Sequence, residues 1–174
     1  MKMILKTLVL AASLNALLPA SVALAEDESF APGGTAIDKH TEQYRDLKII
    51  MDIKGKDVET VKYSTMVASN LIEHPGTKLA VVIEGPYVSM FAKKNYLDHQ
   101  GIVDQWVALA NKGVKVEYCG SSVHGAHLSP SDMEGLTEKN PAIVNPGAYP
   151  ALAYYELQGY ALVIPIPLSS PEKK

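Results

Sequence analysis

The sequence predicts an α/β domain with a mainly parallel sheet and helices on both faces. Three observations carry this. Short apolar runs recur along the chain at "LKIIMDI", "KLAVVIEG", "VKVEY" and "YALVIP". Segments with helical apolar spacing stand between them. The second run is apolar without alternation, as expected of a strand covered on both faces. Alternating strands and helices imply parallel pairing through right-handed crossovers.

The first 25 residues stand apart from that pattern. Lys2 and Lys6 precede "TLVLAASLNALLPASVALA", which ends in Ala23-Leu24-Ala25 before Glu26, Asp27 and Glu28. This has the form of a secretory signal peptide cut after Ala25, too short for a comfortable membrane span. A periplasmic or secreted protein is expected, with no membrane association after cleavage. Removing the segment takes two lysines and no acid from 16 basic and 19 acidic residues. The mature charge is then about −5, against −3 for the full chain. Nucleic acid is an unsuitable partner, because it needs a basic footprint.

Residues 26–46 read as an acidic arm, with Pro32-Gly33-Gly34 opposing regular structure. The domain is expected from residue 47 to 167, followed by a loose tail over 168–174. "LKIIMDI" is the first strand. Asp57 is positioned to cap a helix, and Val58, Val61, Thr65, Ala68 and Ile72 fall on one helical face. Pro75-Gly76 ends it, and "KLAVVIEG" is the second strand. "YVSMFAKKNYLDHQ" is ambiguous between helix and loop. Ile102, Val103, Trp106, Val107 and Ala110 form a helical stripe ended by Gly113.

"VKVEY" is the third strand, followed directly by Cys119. "SPSDMEGL" predicts one capped turn, with Ser129 at the cap, Pro130 next and Asp132 closing it. A weaker fourth strand spans 142–144. Asn145-Pro146-Gly147 is a turn, Pro150 opens a helix reaching Leu157, and Gly159 closes it. "YALVIP" is the fifth strand.

Cys119 is the only cysteine. Exported proteins usually pair their thiols, and one cysteine has no partner in its own chain. It is therefore buried, metal-bound, reactive or joined to another molecule. Ligands in parallel sheets bind beyond the carboxyl ends of the strands, where Cys119 is expected. Gly120 leaves room beside the sulfur, while Ser121 and Ser122 offer hydroxyl donors. Such surroundings can lower a thiol pKa.

His124 and His127 are candidate acid–base groups. With Cys119 they also form a possible transition-metal or haem ligand set, although the spacing is not that of a standard finger. Glu84 and Asp52 end the first two strands and can face the same crevice. Lys54 and Lys56 can attract an anionic sulfur species. The tyrosines at 149, 154, 155 and 160 suit a core or a subunit interface. There is no G-x-S-x-G elbow and no Gly-rich phosphate fingerprint.

Several of these stretches together resemble the DsrE/DsrF-like family, whose fold is called YchN-like. They are "KIIMDI" with a helix ending "LIEHPG", "KLAVVIEGPYVSMF", "GVKVEYCGSS" leading to "LSPSDMEGL", and "LAYYELQGYALVIP". The likeness runs from Leu47 to Pro165. It implies a three-layer α/β sandwich with about five strands, and a homo-oligomer, commonly a trimer or hexamer. It also implies that Cys119 accepts sulfane sulfur and carries it as a persulfide between a donor and an acceptor. No cofactor is implied. The chain departs from the family pattern at Ser121, where members often carry Asn, and in its His-Gly-Ala-His segment. The sequence thus predicts a sulfur-handling protein, with a metal-binding module and a non-catalytic oligomeric accessory protein as the other readings.

Overall fold

A computed structural model describes residues 43–54 and 57–167. The expected signal peptide, the arm up to residue 42, Lys56 and the expected loose tail lie outside the described residues. Five strands form one parallel sheet: β1 (Lys48–Ile53), β2 (Lys78–Ile83), β3 (Lys115–Cys119), β4 (Ile143–Asn145) and β5 (Ala161–Val163). Their order is β4-β3-β2-β1-β5. Four helices connect them: α1 (Val58–Ile72), α2 (Tyr96–Asn111), α3 (Gly120–Gly125) and α4 (Ala148–Leu157).

The order explains how the layers form. From β1 to β4 each strand is added on the same side. The chain then crosses back to place β5 beyond β1. A right-handed crossover run in the reverse direction puts its helix on the opposite face. Accordingly Val61 of α1 and Trp106 of α2 pack with Met51, Ile53, Val81 and Ile83. Ala148, Ala151, Leu152 and Tyr155 of α4 pack with Ile50, Ala80, Val82 and Cys119. One ten-residue helix thus serves a five-stranded face. The central strands are buried beneath it, while Ile143 on β4 and Leu162 on β5 stay exposed at the edges.

Most element expectations hold. Asp57 caps α1, its Oδ1 accepting from Thr60 N–H at 2.9 Å. The buried face of α1 also takes in Thr60 and Ser64, which the apolar spacing omits. Their polarity is satisfied locally: the Thr60 hydroxyl donates to Asp57 Oδ1 at 3.0 Å and that of Ser64 to the Thr60 carbonyl at 2.7 Å. The stretch after Pro86 resolves into 3-10 turns over Gly85–Phe91 and Lys93–Asn95, and α2 begins at Tyr96. Asn95 locks this bend by donating its amide to the Ser89 carbonyl at 2.8 Å. The capped turn at Pro130–Asp132 is a 3-10 turn. The Asp132 carboxylate accepts from Ser129 N–H and Oγ at 2.8 and 2.6 Å. That hydrogen bonding holds the Asp132 pKa below its ordinary value.

Several elements differ from the sequence reading, and β5 is shorter than "YALVIP". α4 starts at Ala148 rather than Pro150, and Pro150 sits inside its first turn, where no intrahelical N–H bond is lost. β4 is shifted one residue later. Cys119 leads directly into a short helix, α3, to which the sequence reading assigned no element. No described helix is long and apolar enough to cross a membrane.

Candidate functional site at the carboxyl ends of the strands

Register assembles the site. Asp52 pairs with Val82, and Val82 with Glu117, in adjoining parallel strands. Glu117 pairs with Ile143 and Cys119 with Asn145. Side chains two residues apart share a face. Continuing this register two residues past Asp52 and Val82 gives a row of Lys54, Glu84, Cys119 and Asn145 on the α4 side. Neighbours in such a row are about 4.8 Å apart along the sheet. The sequence reading placed Glu84 and Cys119 in one crevice, and the fold puts them at adjoining strand ends.

Cys119 is a free thiol, only 3% exposed. It lies among Ile50, Ala80, Val82, Ala148 and Leu152, beneath the first turns of α4. The N-terminus of α4 brings the positive end of its dipole to this side, which favours an anion.

Gly120 serves a packing need. A β-carbon there would collide with the Asn145 carbonyl oxygen, so only glycine lets the chain pass from β3 into α3 against the turn after β4. Ser122 is half-buried and accepts from Gly85 N–H through its Oγ at 2.8 Å. It ties the ends of β2 and β3 together. Ser121 is exposed. It lines a small cleft of about 270 Å³ with Gly120, His124 and Pro146. Cys119 does not line that cleft.

The histidines do not join the thiol. His124 and His127 are both exposed. His127 has φ 55°, a left-handed conformation in which His is enriched among non-glycine residues. Around it, Leu128 N–H donates to the Val123 carbonyl at 3.0 Å and His127 N–H to that of His124 at 2.9 Å. These two bonds form a Schellman motif that closes α3. Val123 and Leu128 belong to one apolar cluster and supply its hydrophobic contact. His127 therefore has a structural explanation: it ends a helix that was not expected. Among the described residues no three His, Cys, Asp or Glu side chains converge as metal ligands.

The most charged feature lies at the ends of β1 and β2. Asp52 is fully buried. Its Oδ2 lies 2.6 Å from Lys54 Nζ, and the same ammonium reaches Glu84 Oε1 at 3.2 Å. Asp52 Oδ1 has no partner. Hydrogen bonding to Asp52, opposed by desolvation and aided by Glu84, raises the Lys54 pKa. Lys54 also sits 5.4 Å from the centre of the Tyr149 ring on α4. The sequence reading weighed Asp52 and Lys54 separately. Only the two-residue spacing at the end of β1, read as one strand face, signals that they form a pair.

Deeper on the same face, Tyr155 donates its hydroxyl to Glu117 Oε1 at 2.7 Å, and the Asn145 amide donates to Oε2 at 3.1 Å. Burial and Glu117 push the Tyr155 pKa well up, so the hydroxyl stays protonated. Tyr155 stacks edge-on with Tyr154 and Tyr160. The tyrosine cluster is thus part core and part surface, since Tyr149 and Tyr154 are exposed at 73% and 61%.

No curated protein matches this sequence. Among solved structures, a protein of unknown function from Methanobacterium thermoautotrophicum, MTH1491, shares the fold with a TM-score of 0.55 at 16% identity. The match covers 68% of this chain and 99% of that one. The sequence matches the DsrE/DsrF-like family over residues 48–165, a span running from β1 past β5 and including the whole row of strand-end residues. With an all-parallel five-stranded sheet over that span, the chain belongs to the DsrE/DsrF-like family.

Proposed function

We propose that this protein handles sulfane sulfur, with Cys119 as acceptor and carrier. The observation that carries the reading is the placement of the one thiol at the carboxyl end of β3, inside a chain of the DsrE/DsrF-like family. In the proposed step the Cys119 sulfur attacks the outer sulfur of a donor R–S–SH. A new S–S bond forms, the donor's S–S bond breaks with its electron pair going to R–S, and the thiol proton leaves with it. The products are a Cys119 persulfide and R–SH. A nucleophilic acceptor then takes the outer sulfur and restores the thiol. Thiol exchange of this kind proceeds through the thiolate and needs no metal or other cofactor.

Burial at 3% shapes this proposal. The sulfur is shielded by Ala148 and Leu152, so transfer requires the first turns of α4 to yield. Sequestration suits a persulfide, which bulk thiols would otherwise reduce. Gly120 gives the turn its close packing, Ser122 holds it to β2, and Glu84 ends the strand beside the sulfur, held by Lys54. His124, exposed on α3, contacts incoming donor or acceptor.

We also propose that the protein is exported and works as a homo-oligomer. Leu162 and Ile164, on the α4 side of edge strand β5 and just past it, are each 40% exposed, and Leu157 at the end of α4 and Ile166 after β5 are exposed at 89% and 70%. Clustered apolar exposure of this kind marks interaction surfaces. The burial of Cys119 favours one second reading, a non-catalytic accessory subunit whose thiol is inert.

Cyanide-labile sulfur separates the two. After incubation with polysulfide and desalting, the carrier reading expects one labile sulfur per folded chain. None would leave the accessory reading standing.

A further inference from the structure

At the opposite, amino end of β3 a cleft of about 560 Å³ opens between α4 and the turn before β4. Cavities of this size accommodate small-molecule ligands. Four residues of strand, about 13 Å, separate Lys115 in its wall from Cys119. Its inner wall, Glu117 and Tyr155, adjoins the thiol's side of the sheet, but Cys119 does not line it.

Its chemistry is unlike that of the rest of this acidic chain. Lys112, Lys115 and Lys139 line it together with one carboxylate, Glu117. Among the described residues no carboxylate pairs with any of the three lysines. Glu117 does not neutralise them by contact, because Tyr155 and Asn145 occupy its two oxygens. Counting the lining alone, three ammonium groups stand against one carboxylate. Glu138, which lines the adjoining hollow with Lys139, still leaves the region positive.

The wall is also fixed. Asn140 is 7% exposed, and its amide donates to the Val114 carbonyl at 2.6 Å. The Asn140 carbonyl accepts from Leu136 and Thr137 N–H at 3.1 and 3.3 Å. These bonds pin the turn carrying Lys139 to the start of β3, beside Lys112 and Lys115. Across the cleft, the Tyr154 ring is held edge-on to Tyr155 at 5.4 Å and 82°, with most of its surface open. A rigid exposed aromatic ring next to unpaired ammonium groups offers a stacking face and an anion site in one cavity.

We infer that this cleft binds a small phosphorylated ligand bearing a flat ring, of the nucleoside monophosphate class. The phosphate sits among Lys112, Lys115 and Lys139, and the ring lies on Tyr154.

Titration calorimetry of the full protein with adenosine monophosphate tests this, with inorganic phosphate and adenosine as separate probes. The monophosphate binds at one site per chain and more tightly than either fragment. Charged hydrogen bonds of the kind expected here make the double change Lys115→Gln with Lys139→Gln weaken it by about tenfold or more. Tyr154→Ala weakens the monophosphate and leaves inorganic phosphate unchanged. All three residues are exposed, so the variants retain the fold, and Cys119→Ser binds as wild type does. No binding of the monophosphate, or binding indifferent to the lysine and tyrosine changes, overturns the inference. So does inorganic phosphate binding as tightly as the monophosphate.

Discussion

Cys119 is where one residue decides most. Its place at a strand end was legible from "VKVEYC", because an apolar run followed by glycine marks where a strand stops. Its burial was not legible. The cover comes from Ala148 and Leu152 on a distant helix, and no local pattern says which face that helix takes. Opening the cover should expose the thiol. Leu152→Ala costs about 2–5 kcal/mol as a large-to-small core change and raises the native-state alkylation rate of Cys119 by about tenfold or more. Stopped alkylation followed by peptide mapping reads this; equal rates would mean that α4 does not guard the sulfur.

Asp52 and Lys54 make the second argument at this scale. A buried charge stripped of its partner is strongly destabilising, so Lys54→Met should cost about 3–5 kcal/mol, less whatever solvent screening the half-open lysine already has. The pH dependence follows from the raised Lys54 pKa. The lysine is charged in both folded and unfolded chains below the ordinary value of 10.5, and its stabilising contribution is fully present there. It fades as pH rises through the higher folded value. Urea midpoints measured from pH 9 upward should therefore converge for wild type and Lys54→Met at the alkaline end.

Among the elements, the three long strands and both long helices were legible, since each carries its own period or apolar run. The failures share a cause. α2 begins earlier than its apolar stripe because Asn95 and the 3-10 turns set its start, and hydrogen bonds to the Ser89 carbonyl leave no apolar period. α3 was hidden by two glycines in six residues. One is required by the Asn145 carbonyl, which is a tertiary demand. The same helix explains His127, whose left-handed backbone closes it. Glycine fits that position without the side-chain penalty, so His127→Gly should stabilise the domain by about 1 kcal/mol. Thermal melting reads the gain, and sulfur loading should be unchanged. A loss of stability would mean that the imidazole makes a contact outweighing the strain.

The whole molecule is a parallel sheet covered unevenly. Alternation of strand and helix foretold two covered faces, and reversal of strand order after β4 explains why one face receives a single helix. That asymmetry places Leu162 and Ile164 in the open and leaves room for the lysine-lined cleft. Changing Leu162 and Ile164 together to Asp should shift the protein to its monomer mass in light scattering, with the fold retained. An unchanged mass would locate the subunit contact elsewhere. The strand-end row, Lys54, Glu84, Cys119 and Asn145, emerges only at this scale, from register across four strands.

The central claim is that Cys119 carries sulfur in the folded protein. Intact-mass measurement after incubation with polysulfide and desalting tests it most directly. The account predicts wild type heavier by one sulfur atom per chain, the added mass removed by a thiol reductant, and no gain for Cys119→Ser. An unchanged wild-type mass, or an equal gain in the Cys119→Ser protein, would contradict it.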